Sequence, residues 1–229
     1  SFPFITKYNN FTDDSKDYLQ GIFDTILNKD IARRLNIADT VSLENVTKFL
    51  LHSIGNKISP TKIANTLKSA GKSVDQKTVD KYIKGLVDSM LIYEAGRYNI
   101  KGKQFLSTQS KYYVVDVGMR NALVKSSESD IGHILENIVY LELKRRYKNV
   151  YVGEIDSGEV DFVSVNDNKY EYYQVSATTL DENTLKRELA PFGKIKDNYP
   201  KYLLTLDDVF SNADYNGVQK INVLEWLLK

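Results

Sequence analysis

The stretch "GEVDFVSVNDNKYEYYQVSATTL", residues 158–180, decides the fold class of this chain. Two alternating runs lie on either side of "NDN", residues 166–168, and Asn and Asp tolerate the left-handed dihedrals of a tight turn. The pattern therefore predicts a β-hairpin. Because strand side chains alternate between faces, Gln174 and Ser176 in the second strand share a face with Tyr172.

The hairpin lies within a longer series of predicted elements. An apolar helix begins at Ile131, and the strand "VYVGEI" precedes the hairpin. A helix from Asp181 and the strand "KYLLTL" follow it. The order αβββαβ indicates an α/β sandwich with a mixed sheet, which we expect to span residues 131–229. The segment "VKSSESD" before Ile131 is the predicted domain boundary.

The first 40 residues are predicted to form a helical lead-in segment. Apolar residues recur near helical spacing from Asp13 to Ile37, and aspartates in the first turn suit the positive end of the helix dipole. We expect this helix to be broken near Asn28.

Residues 41–124 are predicted to form a domain in which three helices precede a hairpin. The middle helix has clear limits, with Ser59 as N-cap, Pro60 at the first helical position and Gly71 past the end. Short runs of aromatic and β-branched residues flank Ala95-Gly96, where we expect the hairpin turn.

Three helices followed by a hairpin resemble a winged helix-turn-helix domain, in which the third helix lies in the major groove of DNA. The resemblance places Lys77, Thr78, Lys81 and Lys84 on the exposed side of that helix and Arg97 at the wing. Phosphate contacts by such residues would give salt-dependent binding with little sequence preference. The alternative is a winged helix that packs only against protein, with its lysines in solvent.

Composition limits the classes of protein and site that remain. The net charge of +1 is unevenly distributed along the chain. Residues 41–103 contain 11 basic and five acidic residues, whereas residues 151–229 contain eight basic and 14 acidic residues. The absence of Cys and the presence of only two His exclude disulfides and thiolate ligands, so any metal would be bound by oxygen atoms. No apolar run could span a bilayer and no signal peptide is recognisable, which favours a cytoplasmic protein without a membrane partner.

The order αβββαβ, with Glu136 in the first helix, Asp161 at the second strand and "QVS" on the third, resembles the PD-(D/E)XK nuclease superfamily. In active members three acids gather Mg²⁺ and a Lys supports the attacking water. The resemblance makes Glu136, Asp161 and Gln174 the candidate catalytic residues and ligands for Mg²⁺ or Mn²⁺, the only candidate cofactors. Because Gln174 and Ser176 replace an acid and the Lys, a degenerate site is expected.

These residues also have alternative interpretations. Glu136 could be a surface acid paired with Tyr140 or Arg145, and Asp161 could simply accept hydrogen bonds at a strand end. Arg187 or Lys194, which follow the hairpin, could supply a replacement for the missing cation.

Nearly the whole chain resembles the C-terminal region of a group of prokaryotic AAA-type ATPases. The stretches that carry this resemblance are "ILNKDIARRLNI", the helices from "LENVTKFLLH" to "VDSMLIY", "KYYVVDVGMRNAL", "GHILENIVYLELKRRYKNVYVGEIDSGEVDFV" and "YYQVSATTLDENTLKRELAPFGKIKDNYPKYLLTLDD". It implies a winged helix and a nuclease-like unit downstream of an ATPase domain, which would be a partner within the same polypeptide. The chain itself has no G-x-x-x-x-G-K-[ST] motif, so we do not expect it to bind ATP.

The sequence is therefore compatible with three functions. The first is a nucleic-acid-associated module, with duplex DNA as partner, whose nuclease-like site is non-catalytic or weakly active. The second is an active Mg²⁺- or Mn²⁺-dependent DNA endonuclease. The third is a protein-interaction or regulatory domain of the ATPase without a nucleic-acid role.

Overall fold

The computed structural model describes residues 12–125, 130–156, 158–166 and 169–229. Within these ranges the fold is mixed α/β, as predicted. The chain divides into two compact units, Ser1–Glu94 with Lys111–Ser127 and Ala95–Ser110 with Glu128–Lys229. Residues 95–110, which the sequence placed with the helical domain, thus belong to the second unit. None of the helices in the described ranges has the length and apolar character needed to cross a membrane.

The first unit begins with the predicted helix. Helix α1 (Asp13–Thr25) has Thr12 as its N-cap, and Asp13 and Asp14 lie in its first turn. A π-helical segment, Ile26–Ala32, follows directly. The break expected near Asn28 falls in this segment, where Asn28 Nδ2 donates to the carbonyl oxygen of Asp24.

Helices dominate the remainder of the first unit. Its elements are α2 (Thr40–His52), β1 (Lys57–Ile58), α3 (Pro60–Ser69), α4 (Gln76–Asp88), β2 (Ile92–Asn99), β3 (Gln104–Val114) and α5 (Val117–Leu123), with β2 and β3 continuing into the second unit. The predicted limits of α3 are confirmed, because the Lys62 N–H donates to Ser59 Oγ and Gly71 has a φ of 76°. The amphipathic helices bury their apolar faces in one core.

Gly85 allows the lead-in segment to pack closely against α4. A Cβ atom at this position would lie 2.8 Å from Leu35 Cδ1 and 2.9 Å from Ile31 Cγ2. Arg34 contacts the same turn of α4 and donates to Ser89 Oγ over 3.2 Å. The segment that the sequence treated as a separate lead-in therefore forms part of the core of this unit.

The hairpin turn was predicted at Ala95-Gly96, and this was wrong. Strand β2 runs through both residues, and the side chain of Ala95 is fully buried within it. The turn comprises residues 100–103, where the Gly102 N–H donates to Asn99 Oδ1. An extended strand accommodates Gly96, whereas the Asn side chain supplies the hydrogen bond that stabilises a turn.

The second unit has the predicted order of elements. They are α6 (Ile131–Arg146), β4 (Val150–Ile155), β5 (Gly158–Asn166), β6 (Lys169–Ser176), α7 (Glu182–Leu189) and β7 (Lys201–Thr205), followed by β8 (Asp214–Tyr215), β9 (Val218–Asn222) and α8 (Val223–Leu227). The last three were not predicted. Residues 126–129 of the predicted boundary, and 167 and 168 of the predicted turn, lie outside the described ranges.

The sheet of the second unit is mixed, as predicted. In the described ranges its strand order is β3-β2-β4-β5-β6-β7-β9-β8. Strands β4, β5 and β6 pair antiparallel, whereas β6 pairs parallel with β7, and β7 parallel with β9. The C-terminal ends of β6 and β7 therefore meet at one edge, from which the chain leaves towards α7 and β8.

A buried polar network holds that edge together. The side chains of Asp207 and Lys220 are 3% and 2% exposed, and Lys220 Nζ lies 2.9 Å from Asp207 Oδ2. Asp207 also accepts hydrogen bonds from the Thr178 hydroxyl and from the N–H and hydroxyl of Thr179. Burial opposes the charged form, but these hydrogen bonds hold the pKa of Asp207 well below its usual value. The network fixes the segment that follows β6.

We expect Lys220→Met to lower the free energy of unfolding by about 3 kcal/mol, because it leaves the buried carboxylate of Asp207 without its cation. Urea denaturation at neutral pH measures this. The control is Lys186→Met, which removes an exposed ion pair with Glu182 and should cost less than about 1 kcal/mol.

An acid titration of the same variants checks the cause. The low pKa of Asp207 gives a stabilisation that is complete above the unfolded value of about 3.9 and is lost as the pH falls below it. Without Lys220 this pKa should rise, so acid unfolding should begin at a higher pH. An unchanged acid midpoint in Lys220→Met would contradict the assignment.

Candidate functional site

A pocket of about 470 Å³ in the second unit brings together the three candidate catalytic residues. Glu136 comes from α6, Asp161 from β5 and Gln174 from β6. A fourth buried polar side chain, that of Glu188 on α7, joins them. The rest of the lining is Gly132, His133, Val175, Ser176, Ala177, Thr178, Thr184 and Arg187.

Asp161 and Gln174 meet where the backbone ladder between β5 and β6 ends. The last paired residues on this side are Phe162 and Tyr173. One step further, the Asp161 N–H donates to Gln174 Oε1 over 3.3 Å, and the Val175 N–H donates to Asp161 Oδ2 over 2.9 Å. Side chains thus replace backbone partners. Asp161 accepts a hydrogen bond, as the alternative interpretation expected, but it lies within β5 and not at a strand end.

The amide of Gln174 also links the sheet to α7. Gln174 Nε2 donates to Glu188 Oε2 over 2.8 Å, in a region where both side chains are about nine-tenths buried. The other oxygen of Glu188 accepts from Arg187 Nε and Nη2 at 3.1 and 2.8 Å. Both ends of the Gln174 amide are therefore hydrogen-bonded within the protein.

Helix α7 is held in position by its N-cap. The Thr184 N–H and hydroxyl both donate to Asp181 Oδ1. The hydrogen bond from the Thr184 N–H is the largest of the causes that lower the pKa of Asp181, followed by that from the Thr184 hydroxyl, so the cap remains a charged carboxylate at neutral pH. This orientation places Glu188 over the pocket and leaves Arg187 largely in solvent.

The position expected to hold the catalytic Lys has no positive charge. Ser176 lines the pocket, and its hydroxyl donates to the carbonyl oxygen of Thr178 over 2.9 Å. Of the two proposed replacement cations, Arg187 lines this pocket and pairs with Glu188. Lys194 lines a different pocket.

Glu136 is not the surface acid of the alternative interpretation. It is 8% exposed, and Arg145 pairs instead with Glu142. Its carboxylate oxygen lies 4.0 Å from Nδ1 of the half-exposed His133. The side chain therefore faces the pocket from the first turns of α6.

Carboxylates dominate the chemistry of this pocket. Glu136, Asp161 and Glu188 contribute three acids against the guanidinium of Arg187, so an uncompensated phosphate group would be repelled. In the described ranges no three His, Asp or Glu side chains are arranged to hold a metal ion. The pocket thus contains three carboxylates, and hydrogen bonds within the protein already engage Gln174 and Glu188.

Glu188 was missed in the sequence analysis, although a signal existed. Helical spacing puts it one turn after Leu185, which packs against the core of the second unit, and Leu189 next to it in the sequence packs there as well. An acid between two core-facing leucines indicates a buried carboxylate that needs a partner.

The predicted nucleic-acid-binding residues fall into two groups. Lys77, Lys81 and Lys84 lie on the exposed face of α4, at spacings of four and three residues. Thr78 stabilises the N-terminus of α4, because its N–H and hydroxyl donate to the N-cap residue Asp75. The hydroxyl is the main cause that lowers the pKa of Asp75.

Arg97 does not belong with the lysines of α4. It lies in the second unit, where its side chain is 12% exposed and its Nη2 contacts Glu154 Oε2 at 2.6 Å. Strand β2 pairs with β4 in a register that puts Arg97 opposite Val152 and Asn99 opposite Glu154. Arg97 therefore forms an ion pair between neighbouring strands of the sheet.

Comparison with known proteins identifies similar chains. A family model described as a domain of unknown function, DUF8612, matches residues 1–130. An uncharacterized protein of Haemophilus influenzae is 39% identical over 211 residues, covering 92% of this chain and 52% of the relative. The uncharacterized protein MJ1544 of Methanocaldococcus jannaschii is 34% identical over 216 residues, covering 91% of this chain and 45% of the relative. The chain thus spans about half the length of these relatives.

A solved structure, that of protein VC1899 from Vibrio cholerae, aligns with a TM-score of 0.24 and 10% identity. The alignment covers 82% of this chain and 47% of the other. At this TM-score the match carries no argument about the fold.

We expect Gln174→Glu to lower the free energy of unfolding by about 2 kcal/mol, because the new carboxylate would replace the amide that now donates to Glu188. Mn²⁺ should restore stability to this variant, since four carboxylates would then face the pocket. Thermal denaturation with and without Mn²⁺ measures both effects.

Gln174→Met is the matched control. It removes the same hydrogen bonds without adding an acid, so it should lose stability that Mn²⁺ does not restore. Equal responses of the two variants to Mn²⁺ would contradict the view that the pocket lacks a carboxylate for metal binding.

Proposed function

We propose that this chain, which belongs to the family described as a domain of unknown function, DUF8612, is a nucleic-acid-associated module. In this proposal α2–α4 form the helix-turn-helix of the expected winged helix and contact duplex DNA through α4. The second unit has a nuclease-like PD-(D/E)XK arrangement whose site is non-catalytic or weakly active. The module acts alongside an ATPase domain in the same polypeptide, for which the lengths of the relatives leave room.

The observation that supports DNA binding is the exposure of the α4 lysines and their lack of ion pairs. Lys77, Lys81 and Lys84 are exposed, and no carboxylate of the described part of the chain forms an ion pair with them, although Asp80 and Asp88 are on the same helix. Three ammonium groups on one face along two turns of a helix can contact several phosphates of a duplex. This surface suits an anionic polymer.

Local structure supports the assignment of α4 as the recognition helix. Its opposite face is anchored by Val79, Tyr82, Ile83 and Leu86 in the core of the first unit. The turn that joins α3 to α4 contains Gly71 with its left-handed φ, and the Lys72 N–H donates to the carbonyl oxygen of Leu67. The lysines are thus presented by a rigid helix rather than by a loop.

The hydrogen bonds in the pocket of the second unit support the proposal that its site is non-catalytic or weakly active. Phosphodiester hydrolysis requires an activated water and positive charge at the phosphate. Here Gln174 and Glu188 are hydrogen-bonded to each other, and the single guanidinium is already paired with Glu188. These contacts within the protein support the proposal of a non-catalytic or weakly active site.

We expect the triple variant Lys77→Gln, Lys81→Gln, Lys84→Gln to weaken duplex DNA binding and to reduce the slope of log K against log salt by about three. Fluorescence anisotropy with a labelled duplex of random sequence, at several salt concentrations, measures the slope. Asp161→Ala should bind as the unchanged chain does.

The matched control neutralises three exposed lysines of the second unit, Lys169, Lys186 and Lys229, and changes the net charge equally. It should leave the slope nearly unchanged. Identical binding by both triple variants would refute the assignment of α4. The absence of any DNA binding by the unchanged chain would favour the protein-interaction role.

A second candidate function, an active metal-dependent DNA endonuclease, is favoured by the position of Glu188. This carboxylate lies where Gln174 fails to provide one, so the pocket holds three acids despite the substitution. A divalent cation that broke the Gln174–Glu188 hydrogen bond would acquire an additional oxygen ligand.

A nicking assay on supercoiled DNA with Mn²⁺, Mg²⁺ or EDTA tests this function. On the preferred proposal we expect no cleavage, or cleavage at least about a thousandfold slower than with a full set of charged groups. Metal-dependent cleavage that disappears in both Asp161→Asn and Glu188→Gln would establish the endonuclease. The exposed Glu182→Gln variant is the control for loss of an acid on α7.

A further inference from the structure

Five aromatic rings form a continuous row across the sheet of the second unit. In spatial order they belong to Phe105 on β3, Tyr151 on β4, Tyr98 on β2, Tyr170 on β6 and Tyr199 just before β7. The centroids of neighbouring rings in this order are 5.0 to 6.0 Å apart. We call this set the aromatic row.

The rings of the aromatic row differ in burial. Tyr98 and Tyr170 lie in the core of the second unit together with Phe192 from the segment after α7. At the β3 end, Phe105 is 66% exposed and Tyr151 is half-buried. The row thus begins under a cover of protein and continues into solvent, where a ligand could bury the apolar surface of Phe105.

The Tyr151 side chain is open to a ligand on the β2 side. A Cβ atom at Gly96 would lie 4.0 Å from Tyr151 Cδ1, and no other atom of the described residues comes as near to that position. Burial raises the pKa of the Tyr151 hydroxyl, so this group stays protonated at neutral pH. No group in the described part of the chain forms a hydrogen bond with it. Tyr151 therefore offers a ring for stacking and a free hydrogen-bond donor.

Lys103 brings an ammonium group to the aromatic row. It lies in the turn between β2 and β3 with a φ of 48°, a left-handed conformation that is uncommon for residues other than Gly and Asn. Its Nζ lies 5.7 Å from the centre of the Tyr170 ring. This contact orients the ammonium group without neutralising it, because a ring contributes no opposite charge. Strained backbone of this kind is concentrated at binding sites.

The carboxylates that follow in β4 and after it are compensated. Asp156 pairs with Lys101 at 2.9 Å, and Glu154 pairs with Arg97 at 2.6 Å. Side chains alternate along a strand, so Glu154 points to the opposite face from Tyr98 and its neighbour in the register, Gly153. The exposed end of the aromatic row therefore combines rings with a cation, although the sequence from 151 to 229 is acidic.

We propose that Phe105 and Tyr151 stack on the bases of a single-stranded nucleic acid whose backbone passes Lys103. Exposed aromatic rings accept any base, since every base has a π-face, and a nearby cation attracts the phosphates. A proline-rich peptide also packs on exposed rings, but it has no phosphate for Lys103. The proposal is independent of duplex binding by α4 and of catalysis at Asp161, because a duplex keeps its base faces stacked.

Fluorescence anisotropy with a labelled oligothymidylate of about 12 nucleotides and the 229-residue chain tests the proposal. An abasic oligonucleotide of the same length carries the same phosphates without bases. We expect the abasic strand to bind at least about tenfold more weakly, because the stacking of even one base contributes about that factor. Equal affinities for the two strands, or no binding of oligothymidylate, would overturn the proposal.

Substitution of Phe105 tests the stacking directly. Phe105→Ala should raise the Kd for oligothymidylate about tenfold and leave that for the abasic strand unchanged, whereas Phe105→Trp should retain binding. The matched control is Leu180→Ala, because Leu180 is also 66% exposed in the second unit but is not part of the aromatic row. It should leave both Kd values unchanged. The same Kd for Phe105→Ala and Leu180→Ala would contradict the proposal.

The path of the nucleic-acid backbone is tested by Lys103→Gln. Loss of one phosphate contact should reduce the slope of log K against log salt for oligothymidylate by about 0.7. An unchanged slope would contradict a backbone that passes Lys103.

Two further measurements separate this surface from other sites and partners. The triple variant of the α4 lysines keeps the aromatic row, so its ratio of Kd values for the abasic strand and oligothymidylate should match that of the unchanged chain. A ratio that falls to about one would assign single-strand binding to α4 and overturn the proposal. Binding of a labelled decaproline peptide that Phe105→Ala weakens, without binding of oligothymidylate, would replace the nucleic acid by a peptide partner.

Discussion

The second unit depends on how two backbone N–H groups are satisfied where strands β5 and β6 separate. Beyond Phe162 and Tyr173 the ladder stops, and the oxygens of Gln174 and Asp161 accept from the N–H groups of Asp161 and Val175. Buried N–H groups without partners would be costly, so polar side chains are required at these positions whether or not the protein is an enzyme. The same constraint places an acid and an amide side by side in the pocket that also contains Glu136 and Glu188.

The segment that follows β6 is secured by a second buried interaction. Asp207 and Lys220 compensate each other's charge, and the hydroxyls of Thr178 and Thr179 complete the hydrogen bonding of the carboxylate. A buried ion pair contributes little net stability relative to apolar residues, but removal of one partner is expensive. The Asp207–Lys220 pair therefore fixes the path by which the chain leaves the sheet and enters α7. It thereby also fixes the position of Glu188.

Local signals in the sequence predicted local features. The Ser59 cap, the left-handed Gly71 and the order αβββαβ each depend on a few neighbouring residues, and the structure confirms them. Features that depend on distant partners were not predictable in this way. Arg97 pairs with a residue 57 positions away, and Gln174 with one 14 positions away on another element. The misplaced hairpin turn shows that a glycine within an alternating run is weak evidence when an Asn nearby can stabilise a turn.

An amide at position 174 has a consequence for how this unit responds to its surroundings. Two carboxylates at hydrogen-bonding distance repel each other unless a proton or a cation lies between them, so a centre built from acids alone changes shape as metal supply or acidity changes. The Gln174 side chain does not titrate, and its contact with Glu188 needs neither proton nor cation. The contact that positions Glu188 beside Gln174 therefore forms without a shared proton or a bound cation.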